Sequence, residues 1–134
     1  MKGTSKDEKA KALPNMWKRL AIDDLMKLQR LKDSITVIEN NYSKGNIDSS
    51  TMKYLSKAIE ANKILIRCIE RALDTLTEEE RIILDRFYIN RQKYPAESVM
   101  KDIRIGRSRI HEKKAAALQK FTISMYGPVD IFNL

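Results

Sequence analysis

The sequence predicts an all-α protein, with an N-terminal antiparallel hairpin of two long helices followed by a smaller domain of short helices. Apolar residues recur at spacings of three and four along most of the 134 residues, as they do on the buried stripe of a helix. Four glycines and three prolines are too few for the many turns of a β-sandwich or barrel. The hydrophobic fraction of 43% and the charged fraction of 33% are those of a globular protein.

The first long helix is predicted between residues 15 and 43, after a loose, lysine-rich tail at residues 1–14. Asn15 is a suitable cap at the start of this helix, and Gly45 supplies a stop after its end. Asp24 interrupts an otherwise regular heptad pattern of apolar residues. The stripe that we expect to be buried consists of Trp17, Leu20, Ala21, Leu25, Leu28, Leu31, Ile35, Ile38 and Tyr42.

A second long helix, capped by Asp48, is predicted over residues 49–75. Because the loop before it is short, the two helices should run antiparallel and form a hairpin over residues 15–75. The outer side of this hairpin must be covered by the C-terminal domain or by a second copy of the chain. We therefore expect the hairpin to mediate oligomerisation, as a homodimer or higher homo-oligomer, or to bind a partner. Its second stripe contains Met52, Leu55, Ile59, Asn62, Ile66, Ile69 and Leu73, and Asn62 suits either a buried register-fixing position or a half-exposed one.

The C-terminal domain is predicted over residues 76–127 and opens with a capping box, Thr77-Glu78-Glu79-Glu80. A loop at residues 90–94 leads to a short helix that begins near Pro95. After a turn of three residues, a longer helix begins at Arg107 and ends at Gly127-Pro128. The inward-facing residues of these last two helices are expected to be Val99, Met100, Ile103, Ile110, Ala117, Leu118, Phe121 and Met125. The apolar segment 128–134 should fold back onto the domain or dock on a partner.

The net charge of +8 and the pI near 9.6 favour an acidic macromolecule as partner, most often nucleic acid. Between residues 104 and 120, six Lys or Arg residues stand against a single acid, Glu112. A solvated helix face is one interpretation of this run. The other is a helix-turn-helix, because a short helix, a tight turn and a longer basic helix follow one another here.

In a helix-turn-helix, the second helix packs through one face and inserts its N-terminal residues into the major groove of DNA. Arg107 also lies unfavourably at the positive end of its own helix, which suggests a function other than folding. Arg can bind guanine and Glu can accept from cytosine, whereas Ser and His are more permissive. The candidate base contacts are Arg107, Ser108, His111 and Glu112. The candidate phosphate contacts outside this group include Arg91, Lys93, Lys101 and Lys114.

Two stretches resemble region 4 of the sigma-70 family, which binds the −35 promoter element: LTEEERIILDRFYI and PAESVMKDIRIGRSRIHEKKAAALQKF. The second stretch aligns without a gap from Pro95 to Phe121. The resemblance implies the same base-facing residues and places Arg104, Arg109 and Lys113 nearer to phosphates or to the domain surface. Three positions depart from the family pattern, because Gly106 replaces the usual Thr or Ser cap, Met100 replaces a small residue and Lys113 replaces an aliphatic one.

The chain as a whole resembles the ArpU/RinA-type regulators of late transcription, which activate packaging and lysis operons in phages of Gram-positive bacteria. Helices before the helix-turn-helix and an Ile-Ser-Met-Tyr-Gly end carry this second resemblance. It implies a sequence-specific regulator in the host cytoplasm, with double-stranded DNA and host RNA polymerase as partners. Two alternatives stay open: a DNA-packaging subunit resembling a small terminase, and a protein–protein adaptor that contacts RNA polymerase.

Catalysis has little support in the sequence, and we expect no enzyme activity, no cofactor and no metal site. There is no Gly-rich phosphate loop and no nucleophile–His pairing, and the chain has one His and one Cys. No apolar run approaches the roughly 18 residues of a membrane-spanning helix. The charged N-terminus lacks the apolar segment of a secretion signal, so we expect a cytoplasmic protein without membrane contact.

Overall fold

A computed structural model of the protein describes the backbone of residues 6–127 and the side chains of residues 16–127. Within these ranges the chain is helical and contains no strand, which confirms the all-α prediction. The predicted C-terminal tail at residues 128–134 lies outside the described residues. The elements are α1 (Lys6–Ser43), α2 (Ser49–Asp74), α3 (Glu78–Leu84), a π-helical segment (Asp85–Ile89), α4 (Pro95–Asp102) and α5 (Arg107–Tyr126).

The start of α1 differs from the prediction. The helix begins at Lys6, so residues 6–14 are helical and not a loose tail, and Asn15 lies inside the helix and does not cap it. Lys, Glu and Ala dominate this stretch, and these residues have high intrinsic helix propensity. The polar composition was therefore a sign of a charged helix. Residues 1–5 of the predicted tail lie outside the described part of the chain.

The turn between α1 and α2 follows the sequence signals closely. Gly45 has a φ of +78°, in the left-handed region that favours glycine after a helix end. Asp48 caps α2, and its carboxylate accepts a hydrogen bond from the backbone N–H of Thr51 at 2.7 Å. This hydrogen bond holds the pKa of Asp48 below its usual value. The two helices, here called the hairpin, then pack against each other antiparallel.

The main hydrophobic core joins the hairpin to the C-terminal helices. From the hairpin it contains Ala21, Leu25, Leu28, Ile35, Ile59, Ile66, Ile69 and Ala72, and from beyond it Leu76, Leu84, Ala117, Leu118 and Phe121. Residues on both sides of the predicted domain boundary at residue 75 therefore share one core. The sequence analysis expected either the C-terminal domain or a second copy of the chain to cover the hairpin, and the C-terminal domain packs against it. Two members of the predicted stripe of α1 lie outside the core, because Leu20 and Tyr42 are each 41% exposed.

A second, smaller core lies within the C-terminal part and consists of Ile83, Ala96, Val99 and Ile110. It packs α3, α4 and the first turns of α5 together. Val99 is fully buried as predicted, and Ile103 is half-buried. Met100 is 40% exposed, so its predicted inward position is wrong. The side chain one position after Val99 points away from this core because successive helical residues lie about 100° apart.

The π-helical segment at Asp85–Ile89 was not predicted. Its wider turn is visible in the hydrogen bond from the backbone N–H of Asn90 to the carbonyl of Asp85, at 2.8 Å. From this segment Arg86 donates to Ser98 at 3.1 Å and pairs with Asp102, and both of these residues belong to α4. Arg86 thereby fixes the position of α4, which supports α5.

Candidate nucleic-acid interface

α4 and α5 are joined by a tight turn that places the start of α5 at the protein surface. Ile103 ends α4 in an extended conformation, and its backbone N–H donates to the carbonyl of Val99 at 2.8 Å. α5 begins after Gly106, which offers no side-chain cap, so the first backbone N–H groups of α5 remain open to a ligand. The buried side of α5 is made by Ile110, Ala117, Leu118 and Phe121, as the sequence predicts.

The four candidate base contacts, Arg107, Ser108, His111 and Glu112, are all exposed. Their spacing brings them together along the first two turns of α5, away from its buried side. Arg107 forms an ion pair with Glu97 of α4. The carboxylate of Glu97 accepts a hydrogen bond from the backbone N–H of Glu97 itself and a second one from Arg107. Both hydrogen bonds hold the pKa of Glu97 below its usual value. The guanidinium of Arg107 is therefore held across the α4–α5 junction.

Phe87, from the π-helical segment, supports the middle of this surface. Its ring lies edge-on to the imidazole of His111, with 6.4 Å between centroids. The ammonium of Lys114 lies over the same ring, 4.6 Å from its centroid. This supporting role could not be predicted from the sequence, because Phe87 has the ordinary spacing of a core residue.

Five of the candidate phosphate contacts are exposed: Arg91, Lys93, Lys101, Arg104 and Arg109. Among the described residues none of these five forms an ion pair with a carboxylate. The ammonium of Lys93 lies 5.7 Å from the ring centroid of Tyr94, which is itself 64% exposed. These cations lie in the loop before α4, in α4, in the turn and on α5. Exposed positive charge is therefore present on each segment from the loop before α4 to the first turn of α5.

The remaining two candidates, Lys113 and Lys114, are half-buried and turned towards other parts of the protein. Lys113 forms an ion pair with Glu79 of α3, and two turns further along α5 Lys120 forms a second ion pair, with Glu80 of α3, at 3.0 Å. Lys114 lies over Phe87. The structure thus separates these two lysines from the five exposed cations.

Other kinds of site find little support in the described residues. These residues hold no group of three His, Cys, Asp or Glu side chains that could bind a metal ion. Cys68 is exposed, as expected for a residue off the apolar stripe. None of the helices between Lys6 and Tyr126 is long and apolar enough to cross a membrane.

Comparisons with known proteins were made with the sequence and with the structure. No family model, no curated protein and no solved structure matches this chain.

Proposed function

We propose that this protein is a sequence-specific, DNA-binding regulator of transcription that inserts the first turns of α5 into the major groove. The observation that carries the proposal is the division of α5 into two sides. One side is buried against the two cores through Ile110, Ala117, Leu118 and Phe121. The other side exposes a guanidinium, a hydroxyl, an imidazole and a carboxylate, which together can donate to and accept from base edges.

The exposed cations suit contacts with phosphates. Lys93, Lys101, Arg104 and Arg109 are exposed, in the loop before α4, in α4, in the turn after it and in the first turn of α5. Side chains of this kind position a protein on the duplex and make its affinity depend on salt. Lys113 and Lys114 are half-buried against Glu79 and Phe87, so we assign the phosphate contacts to the exposed cations and not to these two lysines.

The finer assignment rests on the sequence resemblance alone. The sigma region-4-like stretch and the resemblance to ArpU/RinA-type regulators support an activator of late phage genes. Host RNA polymerase would then be a second partner, and the bacterial cytoplasm the location. Selection of bound DNA from a random duplex pool, with the full chain as bait, would supply the preferred site.

A pair of arginines on one helix tests the proposal. Arg107→Ala should weaken binding to the selected site by about 1–3 kcal/mol and binding to random duplex much less, because Arg107 is assigned to bases. Arg109→Ala is the matched control on the neighbouring position. It should weaken both duplexes equally and make the slope of log affinity against log salt shallower by about one unit.

Titrations of the wild type and both variants on both duplexes, at several salt concentrations, give the answer. Equal losses on both duplexes for Arg107→Ala would remove its role in discrimination. A wild-type chain with no affinity for any duplex would overturn the proposal and favour the adaptor hypothesis.

A further inference from the structure

The exposed cations between residues 90 and 110 differ in whether a carboxylate restrains them. Arg107 is the one Lys or Arg in this range that forms an ion pair with a carboxylate of the described residues. Its partner is Glu97, in the first turn of α4. Arg107 is also the one cation of this range that we assign to a base, so the restrained cation is the one whose orientation matters most.

Both partners of this ion pair stand on backbone that the smaller core holds in place. Ala96, the residue before Glu97, is buried in that core, and Ile110, one turn after Arg107, is fully buried there. Arg86 anchors α4 from the π-helical segment. The backbone positions of the two partners are therefore fixed relative to each other, and the ion pair limits the orientations of the guanidinium.

Stability does not account for this ion pair. The side chains of Arg107 and Glu97 are 61% and 46% exposed. Ion pairs at such exposed positions contribute little to the free energy of unfolding, because water screens the charges and both side chains lose rotamer freedom. Removal of the ion pair should consequently leave the fold intact.

The ion pair also leaves most donors of the guanidinium available. Its hydrogen bond runs from Nη2 of Arg107 to Oε1 of Glu97. A guanidinium carries five N–H donors, of which this bond uses a single one. A guanine offers O6 and N7 as acceptors, which need two donors of an arginine. Glu97 can therefore keep its hydrogen bond with Arg107 while Arg107 binds a guanine.

We propose that Glu97 is a positioning residue for DNA recognition, which holds the guanidinium of Arg107 for a guanine and keeps it from phosphates. The inference rests on the proposed function, because it assigns a role within the same contact. A phosphate is an anion like the carboxylate, so a guanidinium that is already paired with Glu97 gains less from a phosphate. A guanine edge is neutral and depends on the orientation of the arginine, so the ion pair favours the base contact.

The competing role for Glu97 is a local one within α4. Its carboxylate accepts a hydrogen bond from its own backbone N–H and lies at the start of the helix, where the helix dipole favours an anion. In that role, removal of the carboxylate would weaken the start of α4 but would leave the salt dependence of DNA binding unchanged. The two roles therefore differ in a measurement on DNA.

Glu97→Ala, alone and in an Arg107→Ala background, separates these roles. Alone, it should lower the ratio of the affinities for the selected site and for random duplex by about three- to tenfold, because the guanidinium loses its preset orientation. On random duplex it should make the slope of log affinity against log salt steeper by about one unit, because the released guanidinium neutralises a further phosphate. In the Arg107→Ala background both changes should vanish, since no guanidinium is released.

Glu78→Ala is the matched control. It removes the same charge from an exposed position in the first turn of α3, and Glu78 forms no ion pair within the part of the chain that the structure describes. It should leave the affinity ratio within about twofold and the salt slope unchanged. Circular dichroism checks that the variants keep the helical content, and Glu97→Gln replaces Glu97→Ala if that variant does not fold.

The measurement is titration of the full chain on both duplexes at several salt concentrations. If Arg107→Ala lowers discrimination but Glu97→Ala changes neither the ratio nor the slope, the positioning role is overturned and the proposed function stands. Equal effects of Glu97→Ala with and without Arg107 would also overturn it, because Glu97 would then act through its own charge. A wild type without affinity for any duplex overturns the proposed function, and this inference with it.

Discussion

At the scale of single residues, Asp24 shows how an irregularity in a sequence pattern acquires a physical meaning. In the sequence it only interrupts a heptad, whereas in the structure it is 4% exposed and accepts a hydrogen bond from the hydroxyl of Tyr126. Burial raises the pKa of Tyr126, and the hydrogen bond to Asp24 raises it further, so this tyrosine stays a donor. The ring of Trp17 packs at a tilt against the ring of Tyr126, with 5.0 Å between the ring centroids. The partner of Asp24 could not be found from the sequence because it lies on the last helix.

Removing this hydroxyl should destabilise the protein. Tyr126→Phe leaves the buried carboxylate of Asp24 with Lys27, at 3.5 Å, as its one partner among the described side chains, and we expect a loss of about 1–3 kcal/mol in the free energy of unfolding. In an Asp24→Asn background the same change should cost less, because a neutral amide tolerates the loss of a donor better than a carboxylate. Urea unfolding of the two single variants and the double variant measures the coupling. If Tyr126→Phe lowers the free energy of unfolding equally in both backgrounds, Asp24 and Tyr126 are not coupled.

At the scale of helices and turns, the predicted capping residues mark the helix boundaries correctly except at Asn15, which lies inside α1. Asp48, Thr77 and Pro95 begin their helices as predicted, and Gly45 and Gly127 follow the ends of theirs with positive φ. The start of α1 and the π-helical segment escaped prediction. No capping side chain marks either of them. The start of α1 depends on the helix propensity of a polar stretch, and the π-helical segment depends on how Arg86 and its neighbours pack.

For the candidate interface, the buried side of α5 was predicted because its apolar residues recur with the helical period. The ion pair of Arg107 with Glu97, and that of Lys113 with Glu79, depend on how α3 and α4 pack against α5. Packing between elements has no local sequence signal, so the separation of the basic residues into exposed and paired groups needed the structure.

The capping box of α3 gives an element-scale prediction that depends on pH. Thr77 and Glu80 exchange hydrogen bonds, at 3.2 Å from the backbone N–H of Glu80 and 2.9 Å from that of Thr77. Burial raises the pKa of Glu80, but the hydrogen bond from Thr77 and the contact with Lys120 lower it more, and the net pKa is below the usual value. A carboxyl with a lowered pKa stabilises the folded state above its unfolded pKa, and this contribution is lost as the pH falls through the folded pKa.

Glu80→Gln is the matched variant, because the amide oxygen can still accept from Thr77 but does not titrate. At pH 7 it should lower the free energy of unfolding by about 0.5–1.5 kcal/mol through loss of the charge. The difference from the wild type should shrink between about pH 5 and pH 3, as the wild-type carboxyl becomes protonated. Denaturant unfolding at several pH values measures this difference. A difference that stays constant down to pH 3 would show that the ionised form of Glu80 contributes nothing.

At the scale of the whole molecule, the hairpin and the C-terminal helices are parts of one structure. Phe121 of α5 and Ile59 of α2 belong to the same core, although they lie on opposite sides of residue 75. The boundary predicted at residue 75 lies between the end of α2 and the capping box of α3, but the core extends across it because α5 packs against the base of the hairpin. α5 consequently links the candidate interface to the hairpin, since its first turns carry the candidate base contacts and its last turns contact α1.

This shared core predicts a single unfolding transition. Ile59→Ala and Phe121→Ala should lower the free energy of unfolding by about 2–5 and 3–5 kcal/mol, because each leaves a cavity in the same core. Trp17, the only tryptophan in the sequence, packs against Tyr126 of α5 and reports by fluorescence on the junction between the hairpin and α5, whereas circular dichroism reports on all helices. Both probes should give the same midpoint in the wild type and should shift together in each variant. If Phe121→Ala shifts the Trp17 midpoint but only part of the circular dichroism signal, the hairpin and the C-terminal helices unfold independently. The link through α5 would then carry no energetic coupling.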